Sequence, residues 1–226
     1  MKLLAIETAT EACSAALLID DETHLRYEVK PRGHSELLLS MMDDLLAEAE
    51  LTPSQLDAMA FGRGPGSFTG VRIATGVVQG AAFAADLPVV PVSTLAALAQ
   101  RAFREKGERH LLPSYDARMG ELYWAAYKVG EDELARLVIE EEVATAERVS
   151  LPIDGEWYGV GSGWTAGAAI LEKRLQGVLL GYQAQMLCSA REIALLAAAD
   201  FDRGLAVSAE NALPVYLRNQ VAHKAT

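Results

Sequence analysis

FGRGPGSFTGVRIATGVVQGAAFAA, residues 61–85, is where the fold can be read. An apolar run over residues 57–62 ends in a loop holding Gly62, Gly64, Gly66 and Gly70. Residues 71–85 that follow are almost all small or apolar. That order predicts a strand, a tight turn that glycine permits, and a helix over residues 69–85. A second short β-branched run, residues 88–92, then returns the chain to the sheet, so this unit is a crossover between strands.

Working outward, residues 3–7, 13–19 and 24–30 read as strands. Asp20-Asp21-Glu22 separates the second and third as a hairpin turn. Residues 35–50 predict a helix with Ser35 as its N-cap, and Thr52-Pro53-Ser54-Gln55 a capped helical turn. Ser93 caps a further helix to about residue 103. The order βββαβαβα, mixing hairpin and crossover connections, describes a mixed α/β sheet flanked by helices.

Beyond the charge run at residues 104–109 the pattern changes. Strands are expected at residues 110–115 and 121–129, then a charged, loop-rich section to residue 156, then a strand at 157–160. The turn Gly161-Ser162-Gly163-Trp164 and helices at 165–175 and 189–203 complete the chain. Residues 1–102 form an N-terminal lobe and 103–188 a second, smaller one. In residues 189–226 a helix returns to the first lobe and a tail follows. No internal repeat is visible.

Composition narrows the function. The 226 residues are 51% apolar, ample for a core, and carry 20 Lys and Arg against 31 Asp and Glu, a net charge of −11. Phosphate-backbone binding needs clustered cations, so this chain is expected to meet RNA only through another protein. The opening residues lack the apolar run and cleavage site of a signal peptide, and residues 71–85 are short for a bilayer span. A cytoplasmic protein without membrane contact is expected. Cys13 and Cys188 read as buried thiols, and His24, His34, His110 and His223 form no metal-ligand pair.

Two helices carry more apolar surface than a sheet-packed helix needs. Wound at 100° per residue, Leu37, Leu38, Leu39, Met41, Met42, Leu45, Leu46 and Ala49 fill an arc of roughly 200°, against the ~100° that one sheet face requires. Helix 69–85 is more extreme, with Arg72 and Gln79 its long polar side chains and Gly76 and Gly80 four apart on one face. Either both helices are sandwiched inside this protein or they share a patch for another.

The glycine loop has GxGxGxxxG spacing, neither a phosphate-binding P-loop nor a dinucleotide fingerprint. Phosphate held by backbone amides and a purely structural tight turn both stay open. Glu7 and Thr8, where the first strand ends, are candidates for a metal-bound phosphate site or for a plain strand end. No nucleophile, base and metal set can be assembled, so no catalytic residue is assigned.

The segments MKLLAIETATEACSAAL, RGHSELLL, FGRGPGSFTGVRIATGVVQGAA, VVPVSTLAAL, DARMGELYWAAY and PVYLRNQVA together resemble the bacterial TsaB (YeaZ) family. The resemblance spans nearly the whole chain. It implies the actin-like ATPase/Hsp70/sugar-kinase (ASKHA) fold, two lobes each built on a ribonuclease-H-like mixed sheet. It also implies a role in making N6-threonylcarbamoyladenosine at position 37 of tRNAs that read codons beginning with A, without catalysing the transfer. The transferase paralogue TsaD holds its metal through H-x-x-x-H, whereas His34 here is followed by Ser-Glu-Leu-Leu. TsaD is the implied heterodimer partner, through Leu37, Leu38, Met41, Met42, Leu45, Arg72, Thr75, Val78, Gln79 and Ala82. TsaE joins that assembly, a homodimer forms when the chain is alone, and tRNA is met only through the complex. A nucleotide site, if present, would use Glu7, Thr8, Gly64, Gly66, Gly161 and Gly163, with ATP or ADP bound only in the complex. The alternatives are a stand-alone ATPase or small-molecule kinase of the same fold and, at a further remove, a metallopeptidase.

Overall fold

The computed structural model describes residues 1–218; residues 219–226, with His223 and the end of the PVYLRNQVA segment, lie outside them. The chain runs β1 (Lys2–Glu7), β2 (Ala12–Ile19), β3 (Glu22–Val29), α1 (His34–Glu48), β4 (Ala58–Gly62), α2 (Phe68–Ala85), β5 (Val89–Val92) and α3 (Thr94–Lys106). It continues β6 (His110–Arg118), β7 (Glu121–Val129), β8 (Ala135–Thr145), β9 (Trp157–Val160), α4 (Gly163–Arg174), β10 (Leu179–Gln183) and α5 (Ala190–Asp202). The first sheet has the order β3-β2-β1-β4-β5 and the second β10-β9-β6-β7-β8. In each, two antiparallel pairings build a three-stranded meander and two parallel strands extend its other side. Both sheets therefore trace one ribonuclease-H-like plan, the ASKHA architecture expected from the sequence.

Side-chain alternation decides the layers. Along β1, Leu4 and Ile6 face α1 and α2, joining Leu17, Leu38, Phe61 and Val78. Leu3 and Ala5 face the opposite way into a central layer with Leu95 and Leu98 of α3, Leu111 and Tyr127 of the second sheet, and Ile193 of α5. The far face of the second sheet closes under α4 with Trp124, Trp157 and Trp164. Between the sheets α5 packs on the first and α3 on the second, although α3 lies within residues 1–102 for most of its length.

The helix ends follow local chemistry. Ser93 Oγ accepts hydrogen bonds from Leu95 and Ala96 N–H at 3.1 and 3.2 Å, and Gly107 ends α3 in the left-handed region with Arg104 and Lys106 in its last turn. Ser67 caps α2 by accepting from Gly70 N–H at 3.3 Å. Ser35 is not the cap of α1: that helix starts at His34 after Gly33, and Ser35 is exposed within its first turn.

Two strands escape the sequence reading. Residues 135–145, expected as loop, form β8, the second sheet's edge. The run Glu140-Glu141-Glu142 hides its alternation, because Glu141 turns inward to accept hydrogen bonds from Ser93 Oγ and from Tyr127 Oη, the latter at 2.9 Å. β10 is short and irregular at Gly181, which weakens its pattern.

Candidate functional site

The end of β1 meets the glycine loop. By alternation Glu7 follows Leu3 and Ala5 into the central layer, where it is fully buried. Its Oε1 accepts from Ala9 N–H, and its Oε2 has no hydrogen-bond partner. Burial pushes the Glu7 carboxyl up to about 7, against the pull of the Ala9 and Thr8 amides and the nearby Cys188 thiol. Tyr115 Oη, also buried without a partner, lies on the same thiol's other flank, and burial holds the tyrosine and the thiol well above their ordinary values. Both cysteines are buried and free.

The glycines bring chain against chain. A Cβ on Gly62 would fall inside the Glu7 carboxylate, and one on Gly70 inside the Thr8 carbonyl. A Cβ on Gly66 would sit 2.6 Å from Ala9 O, whose carbonyl accepts from Ser67 N–H at 2.8 Å. Thr8 Oγ1 donates to Gly70 O at 2.7 Å. Gly64, with φ 95°, accepts at its carbonyl from Thr94 N–H at 3.1 Å and faces Val215. Of the six residues named for a nucleotide, Glu7, Thr8, Gly64 and Gly66 thus gather at the β1 end. Gly161 and Gly163 lie apart, both against Ser114 of β6. His34 is buried, its Nε2–H donating to Thr10 O at 2.9 Å, which pins α1 to the β1–β2 turn. Asp116 accepts from Arg118 N–H at 2.7 Å, a turn-holding contact. Among the described residues no cluster of His, Cys, Asp and Glu suited to a metal is present.

The second candidate region is the face of α1 and α2. Here the expected interface divides. Leu38, Met41, Met42, Leu45, Thr75, Val78 and Ala82 are buried within this chain. Most of the wide apolar arc of α1 is covered because that helix lies against β2 and β3 and also against α2, while Leu39 is left exposed. Gln79 donates from Nε2 to Ala212 O at 3.1 Å. Leu37 is half-buried and Arg72 exposed. On the solvent side of α2, Gly76, Gly80 and Phe83 are exposed and Ile73 and Val77 half-buried beside them, a stripe outside the ten named interface residues although Gly76 and Gly80 already stood out on one face. A Cβ on Gly76 or Gly80 would meet nothing within 4 Å, and Phe83 is 77% exposed. The i, i+3, i+7, i+10 spacing of residues 73, 76, 80 and 83 was available in the sequence as this stripe's signal. Among the described residues no helix is long and apolar enough to cross a membrane.

The family model described as TsaD, tRNA N6-adenosine threonylcarbamoyltransferase, matches residues 27–225. The chain is 42% identical to the tRNA threonylcarbamoyladenosine biosynthesis protein TsaB of Escherichia coli (strain K12), over 99% of this chain and 97% of the relative. It is 41% identical to the protein of the same name from Haemophilus influenzae, over 99% and 96%. The crystal structure of YeaZ from Pseudomonas aeruginosa superimposes with a TM-score of 0.89 at 48% identity, covering 96% of this chain and 99% of that one.

Proposed function

The chain belongs to the TsaB (YeaZ) family of tRNA threonylcarbamoyladenosine biosynthesis proteins, and from that premise we propose that it is the non-catalytic subunit that docks the TsaD transferase. In this reading it is required for threonylcarbamoylation of adenosine 37 in tRNAs reading codons that begin with A. TsaE joins the assembly, and the −11 charge leaves the RNA contacts to the other subunits.

One observation carries the proposal: the solvent face of α2. An 18-residue helix that exposes two glycines with open space above them, beside Ile73, Val77 and a solvent-facing Phe83, offers a second helix close backbone approach and an apolar anchor. The same face serves a second copy when the transferase is absent. The β1 end supports the non-catalytic half of the reading. A carboxylate enclosed by Gly62, Ala9 and Cys188 is a poor ligand for a phosphate-bound metal ion compared with an ionised, solvent-reached one. A stand-alone ATPase or kinase would need the latter.

The test is nucleoside mass spectrometry of tRNA from cells depleted of this chain and complemented with wild type, Phe83→Asp or Gly80→Arg. Depletion is expected to remove threonylcarbamoyladenosine and wild type to restore it. The two variants, folded by circular dichroism, are expected to restore little and to lose co-purification with the transferase. Full modification in depleted cells would overturn the role. Full rescue by both variants would overturn the surface.

A further inference from the structure

The segment PVYLR, residues 214–218, is a piece of sequence that neither the docking face nor the β1 end uses. After the short turn at Ala209–Asn211 the chain passes from Gln79 to Phe68 of α2 and across to the second lobe. Val215 N–H donates to Arg63 O at 2.9 Å, and Val215 O faces Gly64, so the strand lies on the glycine loop. Tyr216 lies beside Phe68, the rings tilted at 38° with centroids 6.2 Å apart, and the Arg72 guanidinium sits over both rings. Two residues on, Arg218 reaches the β6–β7 hairpin, donating to Ala117 O at 3.1 Å and pairing with Glu121.

That hairpin turn is itself strained. Arg118, Met119 and Gly120 are all left-handed, with φ of 64°, 57° and 77°, and for two of them a side chain makes this conformation unfavourable. Such a turn persists where its surroundings hold it. Asp116 holds it from within, and Arg218 from the far end of the chain. A single short segment thus touches α2 at Tyr216 and the β6–β7 hairpin at Arg218.

We propose that residues 213–218 are a clasp between the lobes, tying the glycine loop and the N-terminal end of α2 to the β6–β7 hairpin so that the two open and close together. The clasp makes a demand that a passive tail does not. Arg218 touches the hairpin but not the glycine loop, so breaking its ion pair must loosen both places.

The experiment is amide hydrogen exchange by mass spectrometry on the isolated full-length protein, comparing wild type with Arg218→Ala and Glu121→Gln. Exchange is expected to rise about tenfold in residues 116–121 and also in residues 62–67, the factor that corresponds to losing one charge-assisted hydrogen bond. Glu121→Gln leaves the strap's own sequence intact and must reproduce the response in the glycine loop. If the loop keeps wild-type rates in either variant, the ion pair does not couple the lobes and the proposal falls.

Discussion

Replacing Glu7 by Gln tests the buried end of β1 through the pH dependence of stability. Burial raises this carboxyl from its ordinary 4.5 to about 7 in the folded chain. The folded state therefore binds the proton more tightly than the unfolded one. Its contribution to stability is fully present below the unfolded value and is lost as pH rises through the folded value. Integrated between about pH 5.5 and pH 8, a range chosen to stay above the isoelectric point near 4.8, the loss amounts to about 2 kcal/mol. Glutamine keeps the acceptor for Ala9 N–H and has nothing to ionise. Urea unfolding of both proteins across this range, followed by circular dichroism, isolates the one group because every other titration is shared. The stability of Glu7→Gln relative to wild type is expected to improve by about 2 kcal/mol from the acidic to the alkaline end. Parallel curves would refute the assignment of a proton to Glu7 in the fold.

Three other outcomes are expected. Gly76→Ala and Gly80→Ala each raise stability by about 1 kcal/mol, since alanine is the better helix former and its Cβ meets nothing; thermal unfolding of dilute protein reads this, and a lower midpoint would contradict the open face. Gly62→Ala destabilises by about 3 kcal/mol or more, because the added methyl overlaps the Glu7 carboxylate and approaches Thr94 Cγ2 at 2.9 Å, measurable as a large fall in urea midpoint. Phe83→Asp leaves the unfolding midpoint within about 0.5 kcal/mol of wild type while Leu38→Asp abolishes soluble folded protein; equal behaviour of the two would mean that the buried and exposed sides of this helix pair have been exchanged.

Much of the first sheet was legible because its signals are local. Strand alternation in residues 2–29, a turn of Asp and Glu, Ser93 as a cap and the glycine run all act within a few residues of where they stand. β8 was not legible, because three consecutive glutamates look solvated until Ser93 and Tyr127, both distant in sequence, are placed against the middle one. Ser35 failed as a cap for a related reason. Lys30 and Gly33 shape the entry to α1, and the serine falls two residues past the cap position.

The proposed docking face shows the limit of a helical wheel most clearly. The wheel reports how wide an apolar arc is and is silent on what covers it. For α1 the covering is this chain's own sheet and α2, so Met41 and Leu45 are core. For α2 the sheet covers Ala74, Val78 and Ala82 and leaves Gly76, Gly80 and Phe83 outside. The same holds for Glu7. Its position at a strand end was plain, but its burial depends on Gly62, Cys188 and Tyr115 arriving from three other segments.

By itself, then, the sequence determined the first sheet's alternation, the Ser93 cap, the crossover after residue 62 and the acidic balance, because each is set by neighbours along the chain. Only the tertiary structure decided that the second half repeats the strand order of the first, that α3 and α5 lie between the two sheets, and which side of α2 faces water. Those outcomes depend on contacts between residues tens to hundreds of positions apart, where burial is a property of the assembled layers and not of any one segment.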